Sequence, residues 1–323
     1  MTALYSPASE RITTLSCVVG QLGSALGYFA FICDSLAPIL NLPRLHVFAL
    51  TALCEAPLVL ISDTSHPAFE AAMAFGNVAV ALALGTVVWG VLFAPAGDEP
   101  RPEVSDLTMV DPSGLGLTFG VALIAFSCHL EAISIEADMA RREGFDRVLS
   151  LAFVPLVVLF VAFGVGVYAT LGEATGRVRG HDDVWVDATI MQNLSDGPFV
   201  VTVKCLMSLN LVLTMPITLE PALRAIEQRL GLSDQTSRVR VSMLRTGVIA
   251  ALATGAAVFP GFETIVGLTG ALGCLTGFTL PALCYAHFCA PRLSSAQRFF
   301  AYAVAVFGVG ATVLSFVQQV ALL

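Results

Sequence analysis

A chain of 323 residues that is 56% hydrophobic and only 12% charged, with a mean hydropathy of +0.83, carries far more apolar surface than one water-soluble core can bury. Its net charge of −8 comes mainly from acidic stretches between the apolar ones. Nucleic-acid binding, which needs a basic patch with interleaved aromatics, has no footing here.

A bilayer core of about 30 Å takes about 20 apolar residues at about 1.5 Å each, and segments of that size recur along the whole chain. Hydropathy and loop punctuation predict nine spans, at 14–40, 44–62, 67–94, 114–138, 148–171, 198–222, 242–260, 263–289 and 297–321. Residues 1–13 are polar and lack the small-residue cleavage site of a signal peptide, so the first span is expected to stay in the mature protein. All eight cysteines lie in or at the ends of apolar segments, without a C-x-x-C pair, so neither a disulfide framework nor a zinc site is expected.

The first span carries Asp34 near its end, where hydration makes a carboxylate inexpensive, and Gly23 and Gly27 at a spacing that lets helices approach closely. In the second, Glu55 stands two residues before Pro57, and the sequence offers it no partner. The third span ends in an acidic loop containing Asp98, Glu99, Glu103, Asp106 and Asp111.

The fourth span holds Phe126-Ser127-Cys128-His129-Leu130-Glu131, a hydroxyl, a thiol, an imidazole and a carboxylate within one short stretch. In an unbroken helix Ser127 and Glu131 share a face while Cys128 and His129 turn away. The segment is therefore either buried on most sides or interrupted, as helices at transporter substrate sites are. The plainer alternative is a histidine and a carboxylate packed against each other between helices. Metal binding by Cys128, His129 and Glu131 is disfavoured, because no second ligand cluster joins them.

A second acidic loop follows the fifth span, with Glu173, Asp182, Asp183, Asp187 and the sequon Asn193-Leu194-Ser195. The sixth span contains Lys204, for which snorkelling to the interface is the simplest account, and Asn210 through Thr214 to Pro216. Pro216 removes a backbone donor and frees a carbonyl one turn earlier. That carbonyl and Thr214 are suited to coordinating a cation or solute; a kink stabilised by threonine back-bonding is the alternative. Arginines then cluster in the loop 223–245, and Gly273 and Gly277 repeat the close-packing spacing in the eighth span.

With the N-terminus in the cytosol, eleven basic residues fall inside, among them Arg11, Arg141, Arg224, Arg245 and Arg298. Four fall outside: Arg44, Arg101, Arg177 and Arg179. The positive-inside rule thus predicts nine helices, N-in and C-out.

At these residues the chain resembles the amino acid/auxin permease superfamily. Phe119-Gly120 through Phe126–Glu131, then Ile135-Glu136 and Met139, is similar to that family's sixth helix. Leu213-Thr214-Met215-Pro216 with Pro221 resembles its eighth, Gly270 with Pro281 its tenth, and Tyr28, Phe31 and Asp34 its third. The resemblance implies an all-α, polytopic LeuT-like fold of the amino acid-polyamine-cation type, built from two inverted five-helix repeats and an extra helix. On this alignment the chain starts at the family's third helix, so a single shortened transmembrane domain over 1–323 is expected. Residues 1–111 would form family helices three to five, 112–289 the second repeat and 290–323 the last helix. Cys128 and Ser134 stand where the family has a glycine break or a following proline, so less unwinding is expected there.

The resemblance further implies secondary active transport of amino acids by alternating access, with no catalysis, no cofactor and no metal. The coupling ion would be a proton or sodium. The candidate substrate-binding residues are Phe126, Ser127, Cys128, His129, Glu131, Tyr28 and Asn210, and the candidate ion-coupling residues are Thr214, His129 and Glu131. His129 and Glu131 by themselves favour a proton. The membrane implied is vacuolar, lysosomal or plasma. The rival readings are a non-transporting sensor or partner subunit, a fragment whose first helices are encoded upstream, and a membrane enzyme using His129 and Glu131, for which the loops carry too little polar motif.

Overall fold

Apolar runs with few internal breakers become long helices in a computed structural model, which describes residues 7–61, 67–93, 107–109, 112, 115–126, 136, 139, 141–172, 175, 177–179, 185–187, 190, 197–232, 238–258 and 262–321. The helices are α1 (Pro7–Leu40), α2 (Arg44–Val59), α3 (Pro67–Phe93), α4 (Leu115–Phe126), α5 (Phe145–Leu171), α6 (Pro198–Arg229), α7 (Arg238–Val258), α8 (Phe262–Cys274), α9 (Leu280–Phe288) and α10 (Ser295–Ala321). A π turn, Leu275–Thr279, joins α8 to α9 without a break. A two-stranded antiparallel ribbon, β1 (Arg177–Arg179) on β2 (Trp185–Asp187), occupies the second acidic loop. The fold is that of an all-α polytopic membrane protein. Six helical stretches among the described residues are long and apolar enough to cross a bilayer, and a shorter apolar one runs over Ala74–Gly90.

Helix ends follow local chemistry. α1 stops where Asn41 takes a left-handed backbone (φ 52°), with the Leu42 N–H donating to the Ala37 carbonyl; asparagine is one of the few side chains that tolerate that geometry. Gly231 (φ 67°) ends α6 in the same way, the Leu232 N–H reaching back to the Glu227 carbonyl. α10 starts with a reciprocal cap: the Ser294 hydroxyl accepts from the Gln297 N–H, and the Gln297 side chain accepts from the Ser294 N–H.

Two features differ from expectation. The segment 223–245, read as a basic loop, is largely helix, because α6 runs on to Arg229 and α7 starts at Arg238. Charged side chains at a helix end project into water or pair across helices, so polarity alone does not mark a loop. The close approach expected at Gly273 is also absent, with open space beside it.

The chain forms two compact units. One takes in 1–73, 112–127 and 211–323, and the other 74–111 and 128–210. In the first, α1, α2, α6 and α7 surround an apolar cluster that includes Phe29, Ile32, Phe48, Met215, Leu219 and Ile249. Beside it α8 packs on α1, α4 and α10. Backbones touch where α4 meets α8: a Cβ on Gly270 would land on the Gly120 carbonyl oxygen, and one on Gly120 would lie 2.8 Å from the Gly267 carbonyl oxygen. Gly23 lets α1 approach Thr269 just as closely. The second unit has a small core of Ala83, Val87, Val167 and Val203. There, an apolar cavity of about 500 Å³ lies between α3 and α5, lined by Leu84, Gly85, Val88, Phe163 and Gly166 among others.

Candidate functional site

Ionisable groups are expensive inside a bilayer, so their partners decide what each one does. Arg44 opens α2 directly after the α1–α2 turn, and its Nη2 lies 2.8 Å from Asp34 Oδ1. The pair ties two helix ends together at a partly hydrated position. The Cys33 thiol, one residue earlier, donates to the Arg44 carbonyl at 3.6 Å.

Arg245 on α7 lies at the far end of the same helix group, and its side chain is only 6% exposed. Every N–H of its guanidinium is used. Nε donates to Glu227 Oε1 at 2.7 Å, Nη1 to Glu220 Oε2 and to the Val59 carbonyl at 2.9 Å each, and Nη2 to both carboxylates at 3.4 Å. Arg224, one turn beyond Glu220 on α6, donates to Glu220 Oε1 at 2.7 Å. The carboxylates belong on one face because 220, 224 and 227 are spaced at helical periodicity. This network joins α2, α6 and α7. It corrects the reading of Arg245 as a loop charge.

Glu55 is the opposite case. It lies on the buried face of α2 with Val47, Phe48, Thr51 and Val59 and is fully inaccessible. Neither of its carboxylate oxygens has a hydrogen-bond partner among the described residues. The hydroxyl one turn earlier on α2, that of Thr51, donates instead to the Val47 carbonyl at 2.9 Å.

Of the sequence-derived site residues, Ser127, Cys128, His129 and Glu131 lie outside the described residues, as does the Phe126 side chain; Phe126 itself is the last residue of α4. Tyr28 is half-buried on α1 and borders the same apolar cluster as Leu211, Val212 and Met215, which flank Thr214 on α6. The Thr214 carbonyl accepts from the Thr218 hydroxyl at 3.4 Å, so back-bonding occurs next to Pro216, inside a helix that continues through it. Asn210 packs against Gly76 of α3 within the second unit, where a Cβ on that glycine would collide with its side-chain oxygen. Among the described residues no group of three His, Cys, Asp or Glu side chains is gathered as a metal site requires.

Sequence reasoning missed the partners of Arg245 and the π turn over Leu275–Thr279. In that turn the Thr276 hydroxyl donates to the Gly273 carbonyl at 3.0 Å, and Thr279 to the Ala305 carbonyl of α10 at 3.2 Å. Pro281, two residues beyond, has no N–H to give to that turn, which was the local signal available.

The family model for transmembrane amino acid transporter protein matches residues 1–321. Among curated proteins the chain is 26% identical over 302 residues to amino acid transporter ANT1 of Arabidopsis thaliana, covering 88% of this chain and 67% of that protein. It is 25% identical to amino acid transporter AVT3A of the same plant, covering 87% and 63%, and 23% identical to vacuolar amino acid transporter 3 of Schizosaccharomyces pombe, covering 84% and 41%. The chain thus spans about two thirds or less of the length of these relatives.

Proposed function

The chain belongs to the transmembrane amino acid transporter family, and from that premise we propose that it carries amino acids across a membrane by secondary active transport. The observation that carries this reading is the match of the family model to almost the entire chain, together with relatives named as amino acid transporters. In this reading Phe126, Ser127, Cys128, His129 and Glu131 face the solute with Tyr28 and Asn210, and Thr214 takes part in ion coupling with His129 and Glu131. A zwitterion needs both an acceptor for its ammonium and donors for its carboxylate, and this residue set supplies both. Alternating access would rock one inverted repeat against the other around that site. The names of the fission yeast relative and others favour a vacuolar-type membrane.

Purified protein in lipid vesicles, given radiolabelled amino acids at varied pH and sodium, tests the proposal. Saturable uptake that His129→Ala and Glu131→Ala abolish is expected. Binding without flux would make the chain a sensor, and uptake indifferent to both substitutions would remove the site.

A further inference from the structure

Among the described residues, the Arg245 network holds Glu220, Arg224 and Glu227, and Arg44 holds Asp34, whereas Glu55 stands apart from both. Glu55 is fully buried, and among the described residues both of its carboxylate oxygens lack a hydrogen-bond partner. The helices packed against α2 are α1 and α7, and none of their described charged groups bonds to it. On α1, Asp34 is taken by Arg44. On α7, all donors of Arg245 go to Glu220, Glu227 and Val59, while Arg238 and Arg240 are exposed. Glu220 and Glu227 of α6 are held by Arg245. On α2 itself, Arg44, His46 and Cys54 are exposed, and the Thr51 hydroxyl is committed to its own helix.

An ionised carboxylate without cation or donor in apolar packing is far costlier than the neutral acid, so the chemical species that fits this position is the carboxylic acid. The helix that carries it also lacks one backbone hydrogen bond. Pro57 lies within α2 and deletes the hydrogen bond to the Leu53 carbonyl, leaving the backbone that brackets Glu55 as the place where α2 yields most readily.

We propose that Glu55 is a proton-binding site of this chain: it holds a proton while the packing of α2 on α1 and α7 is closed and gives it up when that packing opens to water. This deepens the transport reading and rests on it, assigning a coupling proton to a residue on α2, apart from the 126–131 segment. The step moves one proton between a carboxyl oxygen and water and needs no other reactant.

The test compares wild type with Glu55→Gln, which keeps the shape and fixes the neutral form, in vesicles loaded with amino acid. Wild type is expected to show both counterflow and accumulation driven by a proton gradient. Glu55→Gln keeps counterflow, while its accumulation falls to the level reached without a gradient. Gradient-driven accumulation that persists in Glu55→Gln overturns the assignment alone, whereas a wild type without counterflow overturns the transport reading and the assignment with it. Infrared difference spectra of wild type minus Glu55→Gln at neutral pH give a readout independent of flux. A protonated carboxyl stretch supports the proposal, and ionised carboxylate bands refute it. Should Glu55→Gln not fold, Glu55→Asp replaces it: a shifted pH profile of accumulation is expected, and an unchanged one counts against the role.

Discussion

Arg245 and Glu55 are both buried ionisable side chains in helices around one apolar cluster, yet the guanidinium makes five hydrogen bonds and the carboxyl none among the described residues. The difference lies in which group can shed its charge. Arginine stays charged at any relevant pH, so it can be buried only with carboxylates and a carbonyl arranged around its planar fork. A carboxyl can become neutral by taking a proton and then needs no counter-ion. One site therefore holds helices in place, and the other is free to change state.

The largest effect expected from testing this contrast is at Arg245. Arg245→Ala leaves Glu227 without its cation and Glu220 with Arg224 alone in a largely buried interface, and breaking a buried pair in this way costs about 3–5 kcal/mol. A large fall in the unfolding temperature of purified protein in detergent checks it, and an Arg245→Ala protein as stable as wild type breaks the contrast outright. Gly270→Val forces α4 off α8, because a carbonyl oxygen and not a flexible side chain occupies the space. Overpacking of this kind costs about 1–3 kcal/mol, read as a lower unfolding temperature, with Gly85→Ala, which meets open space, as the neutral control. Arg44→Ala removes an ion pair whose arginine side chain is 58% exposed, and a loss of only about 0–1 kcal/mol is expected, shrinking further in high salt. Glu55→Leu should cost nothing or stabilise slightly, since it replaces an unsatisfied polar group by an apolar one of similar size. A thermal unfolding series in which Glu55→Leu ranks with Arg245→Ala would show that the carboxyl is a structural partner after all.

Most of the helical architecture was legible in the sequence, since continuous apolar stretches such as 145–171 and 295–321 have no other way to satisfy their backbone in lipid. The α1–α2 break at Asn41-Leu42-Pro43 was equally visible from turn chemistry. The Arg245 network was not, because Glu220, Glu227 and Arg245 belong to two helices, and residue types alone do not say which faces will meet. Gly120 against Gly270 escaped notice for the same reason, while the local spacing at Gly273 and Gly277 drew attention to a place with open space. Glu55 stood out as an acid within an apolar run, but its isolation is a property of three-dimensional packing. The central 126–131 segment was chosen on local density of polar groups and family likeness; of the other candidate site residues the structure describes Tyr28, Asn210 and Thr214.

The π turn at Leu275–Thr279 sets how a single rod serves different neighbours. A wide turn accommodates one extra residue, and each residue advances a helix by about 100°, so the periodic stripe that seats α8 against α1 and α4 falls out of phase beyond Thr279. α9 consequently presents a rotated side, with Ala286 buried, to α10. Deleting one residue from this stretch would restore regular winding and swing all of α9 by about 100°, turning a different side of it inward while leaving α8 untouched.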